Sequence, residues 1–416
     1  MNRLRRIVIA LALLAAVGLP ISVAGGWASP SSGTGATTGG AFRLYVLDQD
    51  RGVRLLPVDA TWLSSIRYGR AISIGKFNPD GSPPQVLQSD DGRTLAAYWI
   101  TTRTMRVYNA RTGAVRAAFQ LPMGVVPQGL SRDGTKLLGT TSDSKYTVST
   151  TGGRLLSKIQ LACCSPTAFD TVRARLFVLE VSEPQDPTAK PGSPHLVAYD
   201  LGSGRRITSM PLDGIADGMW QTGTLPSGEP KYVSWTPAFA ISPNGKQIAV
   251  FDGISDRLTF VDAQRMKIDR VVTVSRPQSF GARLVQWLGL VPEVAEAKGP
   301  TYGGTFELRY SPDGRLLYLT GSVYVPGSNA RSIGIQSIDV ATGKITGETL
   351  EGHMLWWTQP APDGSALYAL NPPNNDAQIC LCVLRRLDPR TLVTLAKQYS
   401  TRYANPQYFV LVAPKS

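Results

Sequence analysis

The sequence predicts an all-β fold, a seven-bladed β-propeller of four-stranded blades, from a repeated Asp-Gly corner, a second repeated turn downstream, and a near-constant interval between them. The corners are Ser89-Asp90-Asp91-Gly92 before "RTLAAYW", Ser131-Arg132-Asp133-Gly134 before "TKLLGT", Ser242-Pro243-Asn244-Gly245 before "KQIAVF", "SPDG" at 311 before "RLLYLTG", and Ala361-Pro362-Asp363-Gly364 before "SALYAL". Asp-Gly supplies the positive-φ positions of a tight two-residue turn, and the β-formers after it predict a buried strand.

The downstream signature is an apolar residue, usually an Asp, and a turn rich in Thr, Gly or Pro. Its second residue falls at Asp59, Asn109, Ser149, Asp200, Asp262, Asp339 and Asp388. From Gly92 to Asn109, Gly134 to Ser149 and Gly245 to Asp262 the interval is 17, 15 and 17 residues. That leaves room for two strands and a loop and none for a helix. Each unit then runs inner strand, corner, second strand, loop, third strand, turn, outer strand. Second strands such as "RLFVLE" and "QIAVF" are apolar nearly throughout, which a sheet buried on both faces requires. The units over 136–161 and 168–180 are degenerate and leave rings of six or eight blades open.

Closure is read from the two ends. "FRLYVLD" has the character of a second strand with no corner before it, and "NPQYFVLVAP" that of an inner strand with nothing after it. Residues 406–413 are therefore expected to pair into the first blade and hide two sheet edges.

The N-terminus carries an export signal. Arg3, Arg5 and Arg6 precede an apolar run from Ile7 to Leu19, and small residues near Ala24 and Ala28 suit a peptidase. Residues 1–28 are assigned to the signal, 29–41 to a Gly/Ser/Thr tether and 42–416 to a single propeller domain, in a secreted or envelope-associated protein. The alternative is an uncleaved anchor, because the run extended to Val23 reaches 17 residues, the short limit for a span. That segment is the expected route to a membrane. The formal charge is +13, or +10 without the signal arginines, which suits anionic partners such as an envelope polymer. The basic residues are scattered and form no stripe with aromatics, so nucleic acid is not an expected partner, and a monomer is expected.

"SPDGRLLYLTG" with "SIDVATGKI", and "SPNGKQIAVFDG" with "LTFVDAQRM", resemble the secreted bacterial propellers grouped as YVTN or lactonase-like repeats, and the propeller subunit of quinoprotein amine dehydrogenases. The resemblance covers roughly residues 42–414 and implies architecture more than activity, because the shared motifs are corners and turns. Trp-Asp dipeptides and Gly-His pairs of the eukaryotic WD-repeat pattern are missing. A lactonase-like relationship implies a divalent metal on the channel axis, for which Asp213, Asp217 and Glu307 are the carboxylates named; no other cofactor is expected.

Only His195 and His353 exist, so a multi-histidine metal site is excluded, and no Gly-x-Ser-x-Gly elbow supports a Ser-His-Asp triad. No catalytic residue is assigned. Three aromatic-rich loops are expected to form a mouth over the channel, with Trp220, Tyr232 and Trp235, then His353, Trp356 and Trp357, then Arg402 and Tyr403. The alternative for each ring is packing between blades. In the insertion at 275–304, Leu284, Val285, Trp287, Leu288 and Leu290 predict a short amphipathic helix, as a lid or a docking element. Cys163, Cys164, Cys380 and Cys382 are disulfide candidates. On the expected blade count the two pairs lie nearly opposite, so local bridges or free thiols are expected rather than a cross-link or a four-Cys zinc site. The functional expectation is a non-catalytic scaffold for a protein, peptide or envelope polymer. The alternative is a metal-dependent lactonase-like hydrolase or a dehydrogenase propeller subunit.

Overall fold

The computed structural model describes residues 43–412 except 49–52, 59–71, 76–83, 90–92, 111, 132, 142, 162–165, 171, 181–191, 225–229, 276–302, 325–330, 356, 362, 372–381 and 401–409. The expected signal, tether and 284–290 helix fall outside these residues, as do Asp59, Cys163, Cys164, Cys380, Trp356, Arg402 and Tyr403.

Strands β1 (Arg43–Asp48), β2 (Val53–Val58) and β3 (Ile72–Gly75) open the chain, followed by the blade of β4 (Gln85–Gln88), β5 (Thr94–Trp99), β6 (Thr104–Asn109) and β7 (Val115–Gln120). The next blade takes β8 (Val126–Leu130), β9 (Lys136–Thr140), β10 (Ser144–Ser149) and β11 (Leu155–Gln160); its neighbour takes β12 (Thr167–Asp170), β13 (Arg175–Glu180), β14 (His195–Asp200) and β15 (Arg206–Pro211). A hairpin of β16 (Gly218–Thr224) and β17 (Pro230–Thr236) precedes the blade of β18 (Ala238–Ile241), β19 (Gln247–Asp252), β20 (Arg257–Asp262) and β21 (Lys267–Thr273). Then come β22 (Gly303–Tyr310), β23 (Leu316–Tyr324), β24 (Arg331–Asp339) and β25 (Ile345–Thr349), and the blade of β26 (Trp357–Pro360), β27 (Leu367–Asn371), β28 (Cys382–Leu387) and β29 (Thr394–Ser400). The last strand, β30 (Val410–Val412), lies antiparallel beside β1, with Arg43 opposite Val412 and Tyr45 opposite Val410. A strand from the C-terminal end thus completes the sheet that the first strands begin.

The expected seven four-stranded blades are corrected: the structure forms six, and the β22–β25 sheet has six strands. The 218–236 segment, read from sequence as a loop, folds as the β16–β17 hairpin, and β17 joins β22 in parallel at Ser234–Thr236 against Gly303–Thr305. It does so because β22, β23 and β24 are 8, 9 and 9 residues long and outreach neighbours of 4 to 7, exposing a sheet edge that needs hydrogen-bond partners.

Stacked sheets explain the apolar second strands. In β13, Phe177 and Leu179 pack with Ile248 and Val250 of β19, while Leu176 and Val178 pack with Leu138 and Ile159 of the β8–β11 blade. In β23, Leu317 and Leu319 meet Phe251 and Phe260, while Leu316 and Tyr318 meet Leu367 and Ala369 of β27. Alternate residues therefore enter different interfaces, and each fully buried Leu or Phe contributes about 1.5–3 kcal/mol.

The corners are four-residue loops rather than two-residue turns, a second correction. In 131–136 the Ser131 hydroxyl donates to Asp133 (2.6 Å), the Lys136 amide donates to Ser131 Oγ (2.9 Å), and among the described residues Gly134 alone has positive φ, at 69°. Ser242 and Asn244, and Ser311 and Asp313, repeat the pattern. The serine satisfies amides that a tighter turn would have paired across the ladder.

The outer turns are equally uniform. Asp200 accepts from the Ser203 amide (2.7 Å), Asp339 from Thr342 (3.0 Å), and Asp388 from Thr391 (2.7 Å); Asn109 and Asp262 act likewise. Each turn ends on a left-handed residue, a Gly at 113, 153, 204 and 343 but Met266 and Leu392 in two blades. Three residues further on the register slips by one residue in all six of these sheets, at Val107/Tyr108, Thr147/Val148, Ala198/Tyr199, Phe260/Val261, Ser337/Ile338 and Arg386/Leu387. An extra residue on one strand, with two residues facing one on the partner, is a β-bulge.

Candidate functional site

Each blade has two ends. Corners and outer turns share one; the other carries the second-to-third-strand loops and the connections between blades, which carry binding residues more often than the scaffold does. The β16–β17 hairpin adds to this loop end, since β17 pairs with the first residues of β22.

Its anchor is aromatic. Trp235 is buried and stacks on Phe306 with ring centroids 6.0 Å apart, and Phe306 meets Phe251 edge-on at 5.3 Å. Gly304 and Gly253 make room for these rings: a Cβ on Gly253 would lie 2.3 Å from Phe306 Cε2. Trp235 therefore packs rather than lines a mouth. Trp220 and Tyr232 occupy neighbouring rungs of the same hairpin, opposite Val233 and Gln221. Trp357 begins β26 and is half-buried, and His353 lies half-buried in the preceding turn with Nδ1 lacking a hydrogen-bond partner. The structure thus groups Trp220, Tyr232 and Trp235 in one hairpin, and His353 with Trp357 in another connection. Cys382 begins β28 opposite Ser400.

The carboxylates named for a metal separate. Asp213 and Glu307 are exposed, Glu307 lying 4.0 Å from Arg309, whereas Asp217 is buried at the foot of β16, its Oδ2 without a hydrogen-bond partner among the described residues. Burial pushes the Asp217 carboxyl up to about 7, against the opposing hydrogen bond from the Gly218 amide. Among the described residues no group of three or more His, Cys, Asp or Glu side chains is placed to hold a metal ion.

Sequence reasoning missed two features of the loop end. Ile100, Met123 and Val126 are 56%, 82% and 39% exposed, on the β5–β6 loop and the β7–β8 connection, which the Leu121 amide ties together by donating to the Arg103 carbonyl (2.9 Å). Their signal was an apolar residue inside each short connection. Lys145 and Glu180 lie where β10 begins and β13 ends. Lys145 donates to Gln128 Oε1 (3.3 Å) with its pKa lowered by burial, and Glu180 accepts from the Tyr199 hydroxyl (2.5 Å). Burial, and then that hydrogen bond, push Tyr199 up to about 12.

No protein-family profile matches the chain. No curated protein matches it either. Among solved structures it is similar to the β-propeller domain of Cps50 (Swd1) from Myceliophteria thermophila, at 11% identity over 80% of this chain and 96% of that one, TM-score 0.45. It is also similar to BamB from Moraxella catarrhalis, at 12% identity over 85% and 87%, TM-score 0.41, and to a chain of the mitotic checkpoint complex, at 13% identity over 79% of each, TM-score 0.44. The propeller assignment rests on the sheet order described above.

Proposed function

We propose that the protein is an exported, non-catalytic binding scaffold whose loop end receives a protein, peptide or anionic envelope polymer. The observation that carries this reading is the β16–β17 hairpin: the one addition to the four-stranded pattern among the described sheets is made at the loop end. Extra structure there enlarges a recognition surface without disturbing the blades. Exposed Ile100, Met123 and Val126 supply apolar contact at the same end, and a formal charge of +13 favours an anionic partner.

The test compares the wild-type chain with a Met123→Asp, Ile100→Asp variant immobilised against fractionated envelope. Retention of one defined component by the wild type, lost in a variant that melts at the same temperature, supports the reading. Equal retention by both overturns the role of this surface. A stoichiometric divalent ion in the purified chain moves the assignment to the hydrolase reading.

A further inference from the structure

The repeat itself defines a test for missing contacts between blades. The residue after each outer-strand bulge sits opposite the middle of the third strand; these residues are Ala117, Ser157, Thr208, Arg270, Gly347 and Ala396, of which Ala117, Ser157, Arg270 and Gly347 border the next blade. In several crevices a side chain from this region bonds to a turn carbonyl of the following blade. Ser157 donates to the Leu201 carbonyl at 2.6 Å. Arg270 donates to Val340 at 2.5 Å and Ala341 at 3.4 Å, its guanidinium lying 4.3 Å over the Phe260 ring. Ser337 and Thr346 donate to Pro389 and Arg390 at 3.1 and 2.9 Å.

Between the β4–β7 and β8–β11 blades the described residues make no such latch. Register equates Phe260 with Val107, Arg270 with Ala117, and the Val340 and Ala341 carbonyls with those of Thr150 and Thr151. Both large groups are small here, and a cavity of about 160 Å³ takes their place, lined by Thr94, Val107, Arg116 and Ala117 on one side and Asp133, Thr150 and Thr151 on the other. Among the described residues no hydrogen bond from the β4–β7 blade reaches the Thr150 or Thr151 carbonyl. Arg116, the bulge residue, turns Nη1 to Thr94 Oγ1 of its own blade at 3.3 Å. Burial raises the Asp133 carboxyl, but bonds from Ser131 and Thr135 outweigh it and hold the group below the usual carboxylate range, so the cavity carries an ionised carboxylate at neutral pH.

We propose that this crevice, at the corner-and-turn end of the blades, is a binding site for a guanidinium head group, which would sit where Arg270 sits in the matching crevice and donate to the Thr150 and Thr151 carbonyls. The chain's own Arg270 shows that the geometry between two such blades accepts a planar, multi-donor cation. The site is independent of the loop end.

The experiment titrates the full chain with Nα-acetyl-arginine amide, its uncharged citrulline analogue, and an acetylated Gly-Arg-Gly peptide, following the amide resonances of Thr135, Thr150 and Thr151. The expected result is saturable shifts with the arginine probe, roughly tenfold weaker binding of citrulline, and loss of binding in both Ala117→Arg and Ala117→Leu, which fill the cavity with and without a cation. Tighter binding of the peptide places the head group on a polypeptide, and parity places it on a small molecule; either keeps the assignment. Shifts that persist in both filled variants, equal binding of citrulline, or no shift at these amides overturns it.

Discussion

Gly134 and Gly364 occupy the same corner position with φ of 69° and 72°, and each amide donates to the carbonyl three residues back at 2.8 Å. Their surroundings differ. Among the described residues a Cβ on Gly364 would meet nothing within 4 Å, whereas one on Gly134 would lie 2.3, 2.4 and 2.9 Å from Thr94 Oγ1, Cβ and Cγ2. Thr94 is 1% exposed and its amide is held by Ser89 Oγ, so it has nowhere to withdraw. Gly364→Ala should cost only the left-handed backbone penalty, about 1–2 kcal/mol. Gly134→Ala adds overpacking of about 1–3 kcal/mol, giving roughly 2–5 kcal/mol in all. Urea unfolding of the two variants and the parent, compared at constant m, reads the difference directly. Thr94→Gly in the Gly134→Ala background should return the steric part. Equal costs for the two alanines, within about 0.5 kcal/mol, would refute the argument that inter-blade approach, rather than backbone conformation alone, requires the glycine at 134.

Three further outcomes are expected. The raised carboxyl of Asp217 makes the native state bind a proton that the unfolded chain, with a pKa of about 3.9, has released. Stability from this group is therefore highest below about pH 4, falls as pH rises toward 7, and above that is lower by something on the order of 4 kcal/mol. Asp217→Asn should flatten this slope and unfold at higher urea than the parent at pH 8, and an unchanged slope would contradict it. Ser157→Ala leaves the Leu201 carbonyl unpaired in a buried contact and should cost about 1–3 kcal/mol by the same assay. Deleting residues 405–416 removes β30 from β1, and the thermal transition should fall and broaden; a coincident melting curve would show that β30 does not hold the ends together.

The parts of the fold that were legible in sequence are those fixed by local chemistry. Ser131-Arg132-Asp133-Gly134 encodes its corner because the serine hydroxyl, the aspartate and the glycine each have a separate task in six residues. The Asp turns were legible for the same reason. Two of them hide their left-handed residue, since Met266 and Leu392 adopt φ of 50° and 57° while their side chains fill buried interfaces. Burial there outweighs a backbone preference that sequence alone would have followed. The 136–161 and 168–180 units looked degenerate yet form regular sheets: Ala174 supplies the positive φ, and Asp170 holds the Val172 and Arg173 amides. The β16–β17 hairpin was not legible because its parallel contact with β22 joins residues nearly 70 positions apart, a pairing that no local turn signal announces. For Trp235 the sequence leaves a place at the mouth and packing between blades both open, and its burial against Phe306 is a tertiary fact that no local pattern carries.

The bulge repeated in six outer strands bears on what the exposed sheet borders can pair with. Outer strands end in unpaired amides and carbonyls, and a flat row of them is a template on which another molecule can grow. An extra residue near the start of each one bends and twists the rim, and Lys158, Arg206, Lys267 and Lys397 set positive charge along it. Borders shaped and charged in this way disfavour zipping onto copies of themselves.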